Sequence, residues 1–288
     1  MNSPVKNFFN KTTALVALAS IMSSTAAQAL DVADATHGAN VTINKTGDVT
    51  NIGQTTANET INWTRFNIGQ QETVNFNSAN ASDITVNKVN AANGRSMIQG
   101  MLNSNHRVAI LNDAGMTITS TGQVNVGSLI ASTAKGFSES GGKYNFSNVN
   151  SANGTIVNQG QINVSDGGYA VLVAPEVRNE GTIKAKLGRV DLAAANGFTI
   201  DVNGNGNINY LAGADLEKAI ISNTGTINAL GGIVNLRSDK AKTLADSVIN
   251  LNGVINVDGM DANVIGTTAN GSAILANSYG DINATTEL

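Results

Sequence analysis

Gly160-Gln161-Ile162-Asn163-Val164 is one of six units of a single kind in the second part of this chain. The others are Gly122-Gln-Val-Asn-Val126, Gly181-Thr-Ile-Lys-Ala185, Gly225-Thr-Ile-Asn-Ala229, Gly253-Val-Ile-Asn-Val257 and Gly280-Asp-Ile-Asn-Ala284. Each runs turn residue, variable, apolar, polar, apolar, which is the period-two signature of a short strand. Three more strands read out between them, at Gly168-Tyr-Ala-Val-Leu-Val173, Gly188-Arg-Val-Asp-Leu-Ala193 and Gly232-Ile-Val-Asn-Leu-Arg237. The Gly-to-Gly steps are 38, 21, 44, 28 and 27 residues. They fit one or two turns of roughly 20–28 residues each, the range of solenoid repeats.

One such unit cannot bury its own apolar face, so turns must stack and enclose a column of Val, Ile and Leu. This places Ile162 and Ile227 inward and Asn163 outward. Gly and Asn at the corners accept left-handed backbone. Asn158, Asn179, Asn223 and Asn252 stand one or two residues before a unit Gly. Stacked at about 4.8 Å, such side chains can hydrogen-bond along the column. An antiparallel sandwich would instead favour Asn-Gly between strands of matched length, and it leaves the recurring Gly-x-Ile-x-Ala unit unexplained. The sequence therefore predicts an all-β, right-handed parallel β-helix with an N-terminal capping region. It reads as a single domain over 30–288, with the cap at about 30–76 and coils at about 77–288. The cap segment holds the only Trp, and a first coil needs an atypical unit to cover its edge.

Composition agrees. Of 288 residues, 41 are Asn and 30 are Gly, only two are Pro (Pro4 and Pro175), and none is Cys. Proline would remove ladder donors. Seventeen Lys and Arg against 21 Asp and Glu offer no basic face for nucleic acid. The absence of Cys excludes zinc ribbons, thiol enzymes and disulfide scaffolds.

Residues 1–29 read as a signal peptide. Lys6 and Lys11 precede the apolar run Ala14–Met22, and Ala27-Gln28-Ala29 has the small-x-small form of a cleavage site. The run is too short to span a bilayer, which takes about 20 residues. Cleavage after Ala29 would make Leu30 the first mature residue and give an exported protein of net charge −6.

Four blocks then carry a family resemblance. They are Ile61-Asn-Trp-Thr-Arg-Phe-Asn-Ile-Gly-Gln-Gln-Glu-Thr-Val-Asn-Phe76, Ser96-Met-Ile-Gln-Gly-Met-Leu102, Asn105-His-Arg-Val-Ala-Ile-Leu-Asn-Asp-Ala-Gly-Met116 and Gly122-Gln-Val-Asn-Val-Gly-Ser-Leu-Ile-Ala-Ser-Thr133. In this order they resemble the secretion domain of two-partner-secreted, filamentous-haemagglutinin-like exoproteins. The match fades into generic β-helix repeats after about residue 140. Where the family has Asn-Pro-Asn-Gly this chain has Asn112-Asp113-Ala114-Gly115, whose Asp and Gly still support a tight turn.

The resemblance implies a secreted surface exoprotein, exported via the periplasm through a partner outer-membrane transporter. It also implies adhesion or haemagglutination, with host-surface glycans or proteins as possible partners. The residues expected to matter are Trp63, Phe66 and Asn67 in the cap and Asn112 and Gly115 in the turn, by packing more than by ligand contact. Rival readings are a carbohydrate-active β-helix enzyme, or the export domain of a contact-dependent toxin.

Catalysis finds little support in the residues. His37 and His106 are far apart and read as loop or turn histidines. Gly136-Phe-Ser-Glu-Ser140 fails as a nucleophile elbow. Asp191 and Asp201 are the nearest lyase-like carboxylates, with no Lys or Arg cluster evident beside them. Asp201-Val-Asn203-Gly-Asn205-Gly206 starts like a calcium loop, but Ala212 stands where the bidentate Glu belongs. No enzyme activity, metal or cofactor is expected. The last unit, Gly280 to Leu288, stays in register with those before it, which predicts another coil with an open edge prone to end-to-end association.

Overall fold

A computed structural model describes residues 29–149, 154–201, 207–211, 216, 218–238, 247–251, 253–257, 261–268, 271–279, 282–283 and 286–287. Asn252, the calcium-like residues 202–206, Ala212 and the leader 1–28 lie outside them.

The chain coils through three faces in turn. Face one stacks Asn58–Trp63, Ile84–Val89, Arg107–Asn112, Ser128–Ser132, Tyr169–Val173, Arg189–Ala194, Ile233–Ser238 and Asp261–Thr268. Face two stacks Val49–Gln54, Thr73–Asn77, Met101–Ser104, Gln123–Val126, Gln161–Val164, Thr182–Lys184, Thr226–Asn228 and Val254–Asn256. Face three runs from Ser96–Ile98 through Met116–Ile118, Thr155–Asn158, Glu176–Asn179 and Ala219–Asn223 to Ser247–Leu251. Pairing between these successive strands is parallel throughout, so the fold is a parallel β-helix.

Register follows the repeat. Val124, Ile162, Ile183, Ile227 and Ile255 are mutual partners from coil to coil, and each is at most 1% exposed. Each such side chain contributes roughly 1.5–3 kcal/mol on full burial. Outside them on face two, Asn75 donates to Asn51, Asn103 to Asn75, Asn125 to Asn103 and Asn163 to Asn125, at 2.8–3.0 Å.

The recurring glycines have a reason other than the one expected. None of Gly160, Gly181, Gly225 or Gly253 has positive φ. A Cβ at Gly181 would lie 2.2 Å from the Gly160 carbonyl oxygen, and one at Gly225 would lie 2.1 Å from that of Gly181. The backbone of each coil rests directly on the corner below, and only a residue without a side chain fits.

The long steps of 38 and 44 residues are each a single coil carrying an insertion. Gly136–Ser140 with Lys143–Ser147, and Gly197–Asp201 with Ile208–Tyr210, leave the helix and join as one four-stranded antiparallel sheet. That sheet covers the outer surface of face one. Phe146 stacks on Phe198 at 4.5 Å between ring centroids, above Ala109, Ile130, Val171 and Ala193. Strand Tyr169–Val173 is therefore buried on both sides, which accounts for its unbroken apolar run.

At the N-terminal end Val41–Thr46 pairs antiparallel with Val49–Gln54, and Ala35–His37 with Asn58–Trp63. Parallel stacking begins with Val49–Gln54 on Thr73–Asn77. The far end corrects the sequence reading. Gly271–Tyr279 turns back antiparallel on Asp261–Thr268, and Ile282 pairs antiparallel with Ile255 instead of opening a further parallel coil. Period-two alternation specifies a strand but not its direction, so this reversal was not legible.

Candidate functional site

The first block builds the cap from its aromatic residues. Trp63 and Phe66 are 2% and 1% exposed and meet edge to face at 5.2 Å, with Phe76 6.4 Å beyond Phe66. The indole Nε1 donates to Asn87 Oδ1 at 2.9 Å, which satisfies the one polar atom of a buried Trp. Asn87 in turn donates to the Ala109 carbonyl on the next coil. The Trp is thus tied across three coils of face one.

Glu72 closes the same block. Its carboxylate accepts from the backbone N–H of Gly69 at 2.8 Å and of Leu30 at 2.9 Å, and from Lys45 Nζ at 2.6 Å. Burial works to raise its pKa, but these donors outweigh it and hold the carboxyl below its ordinary value.

Asn67, Asn112 and Gly115 come together at the corner between faces one and three. Asn67 Oδ1 accepts from Met97 N at 2.9 Å, beside the single bridge of Ile68 to Ile98. Asn112 is 2% exposed. Its Oδ1 accepts from Ala114 N at 2.9 Å, while its Nδ2 donates to Gly94 O and Ser96 Oγ, both at 3.1 Å. Gly115 closes the turn by donating to Asn112 O at 2.8 Å. It has φ +95°, and a Cβ there would lie 2.3 Å from Thr155 O. Glycine is needed twice over at this position, and the turn closes without the family's Pro-Asn. Trp63 and Phe66 lie inside, under the cap, while the three other residues line this corner.

Beside the corner is a cleft of about 270 Å³ with a floor of Val89, Ala91, Leu111 and Ala134. Lys88, Lys135 and Asp113 form its rim. Lys135 pairs with Asp113 at 3.2 Å.

The histidines are not assembled with a carboxylate into a catalytic array. His37 lies on an exposed strand and contacts the Gly38 carbonyl. His106 sits in the turn before Arg107, but it is fully buried against Thr85 Oγ1 at 2.8 Å and Ser104 Oγ at 3.1 Å. Burial lowers its pKa to about 4 against the opposing charge of Asp83, so the ring is neutral at pH 7. Asp191 is held by one arginine and one asparagine, not by a basic cluster. Arg189 lies beside it, donating through Nη2 at 3.0 Å and also through Nε, and Asn235 donates at 3.0 Å from the next coil. Asp201 stands on the added sheet, opposite Lys143 in the strand register.

Sequence reasoning missed Glu72 and Asn87 as cap residues. For Glu72 the signal was an acid standing inside an otherwise period-two, half-buried block. Asn87 gave no local signal, because its partner is 24 residues away.

Comparison with known proteins bears on the same segment. A family model described as the TPS secretion domain matches residues 29–284. A heme/hemopexin-binding protein of Haemophilus influenzae strain Rd is 31% identical over 191 residues, covering 64% of this chain and 21% of the relative. Another heme/hemopexin-binding protein of Haemophilus influenzae is 37% identical over 109 residues, covering 37% of this chain and 12% of that protein. The chain therefore spans only about a fifth or less of the length of these relatives. The crystal structure of the HMW1 secretion domain from Haemophilus influenzae superposes with a TM-score of 0.61 at 28% identity, over 80% of this chain and 60% of that one.

Proposed function

We propose, since the chain belongs to the TPS secretion domain family, that it directs export through a partner outer-membrane transporter and supports adhesion once outside. The family implies a transporter of that class as its partner. The finer reading is that the shared blocks act by building the capped first coils. These would fold first as the chain emerges and offer an edge on which each later coil is laid.

One observation carries this reading. Trp63, Phe66 and Asn112, at the heart of the blocks, are at most 2% exposed, and the side-chain donors of Trp63 and Asn112 are spent on neighbouring coils. Side chains placed in that way build structure and leave little for a partner to touch. Trp63, Phe66, Asn67, Asn112 and Gly115 are accordingly assigned to folding of the exported domain.

The test is export from a Gram-negative host with and without a cognate transporter. Secreted protein should require the transporter, and Asn112→Ala should reduce its yield severalfold while the precursor still accumulates. Export without any transporter would contradict the reading. For the finer function, exported protein is assayed for binding to host-cell glycans and surface proteins. The relatives' names supply the rival ligands, heme and hemopexin, for the same assay.

A further inference from the structure

We propose that cleavage after Ala29 arms a latch: the new α-ammonium of Leu30 pairs with the buried Glu72 carboxylate and locks the cap onto the first coil. The inference rests on the signal-peptide reading of residues 1–29 and adds to the export role a reason for the position of the cut.

The Leu30 side chain is 2% exposed inside the cap, whereas Ala29 is exposed, so the chain crosses from solvent into the core at the expected cleavage point. Leu30 N lies 2.9 Å from Glu72 Oε2, and Leu30 O accepts from Lys45 Nζ at 2.5 Å. Lys45 Nζ also reaches Glu72 Oε1 at 2.6 Å. Both backbone polar atoms of one residue are therefore held by one ion pair. Its two members belong to different parts of the cap: Lys45 to strand Val41–Thr46 and Glu72 to the segment leading into Thr73–Asn77. Leu30 is the piece that joins them.

Hydrolysis of the Ala29–Leu30 bond consumes one water. It leaves a carboxylate on Ala29 and an amine on Leu30, which takes up a proton at neutral pH. The single amide N–H at this position becomes a cationic group with three donors. Glu72 is 5% exposed, and a carboxylate so far from water gains more from a cation than from a neutral amide. The charged groups facing Leu30 N are Glu72 and Lys45, with Asp31 beside it in the chain and engaged by Ala33 N. In the precursor the site holds an amide, so the latch is set only after processing.

The experiment uses the mature chain released from a cleavable fusion, starting either at Leu30 or one residue earlier at Ala29. The Leu30-start chain should melt several degrees higher at pH 6.5. An amine paired with Glu72 has its pKa raised above the usual value of about 7.7–8.0, so the advantage is full below that value and fades as pH rises through the raised one. Direct titration of the Leu30 amine by nitrogen NMR should show the raised pKa, and Glu72→Gln, which leaves the Lys45 cation facing the amine, should bring it to the ordinary range or below. Equal melting of the two chains at pH 6.5, or an amine that titrates normally, would overturn the proposal whether or not the Gln variant folds. The N-terminus of exported protein, read by mass spectrometry, tests the cleavage reading separately, because both chains are made without signal peptidase.

Discussion

Asn158 donates through Nδ2 to Oδ1 of Asn179 at 2.8 Å, and both side chains are fully buried one coil apart. Asn179 passes the pattern on to Asn223 at 2.7 Å. The ladder begins where Ile118 gives way to Asn158 in the register of face three, and in the described residues Asn223 is followed by Leu251. Asn158 also accepts from Gly160 N at 3.2 Å, so the ladder fixes the corner from which the next strand starts. Replacing Asn179 by Ala removes both rungs of the ladder and a longer bond to Thr226 O, leaving one N–H of Asn158 and the Asn223 amide oxygen without these partners. Denaturant melts should show a loss of about 2–4 kcal/mol.

The inward and outward faces of the repeat can be separated with one neighbouring pair. Ile162→Asp places an unpaired charge in the dry column and should cost several kcal/mol. Asn163→Ala removes a partly exposed ladder bond to Asn125 and should cost about 0.5–1.5 kcal/mol. A similar melting shift for both would show the strand faces to be misassigned.

Glycine substitution discriminates backbone stacking from turn flexibility. Gly188→Ala drives a Cβ to 2.0 Å from the Gly168 carbonyl and should unfold the local coil or the whole domain. Gly38→Ala meets nothing nearer than Glu59 at 3.9 Å and should change the melting temperature little. Circular dichroism on the two variants reads the contrast directly.

Acid should destabilise the domain in two stages. The His106 pKa is depressed from 6.5 to about 4, so the unfolded state takes up a proton first as pH falls. Its contribution is intact above about pH 6.5 and is lost progressively down to about pH 4, up to about 3 kcal/mol. Glu72 is also depressed, so its contribution is present above the ordinary carboxylate range and lost as pH falls through its lowered value. His106→Gln should flatten the first stage only, measured by denaturant melts from pH 7 to pH 3.

The coil itself was legible because Gly-x-Ile-x-Ala marks a corner, an inward apolar pair and an outward polar residue, although the close backbone stacking that requires the corner glycine was not. The column from Val124 to Ile255 and the corner asparagines followed from it. The added antiparallel sheet was not legible. Its aromatic residues, Phe137, Tyr144, Phe146, Phe198 and Tyr210, come from two insertions separated by a complete coil. Only the uneven steps and the unbroken run Tyr169–Val173 hinted at it. At the site, Trp63, Phe66, Asn67, Asn112 and Gly115 were visible through the family blocks. The hold of Glu72 on Leu30 depends on a pairing across 42 residues that no local pattern encodes.

The order in which coils form is the most direct measure of whether the capped N-terminal coils template the rest. Pulse-labelled hydrogen exchange during refolding of the mature chain reports it strand by strand. Amides in Asn58–Trp63, Thr73–Asn77 and Ile84–Val89 should become protected before those in Ala219–Asn223 and Ile233–Ser238 if the cap is the template. Earlier or simultaneous protection of the later coils would contradict it.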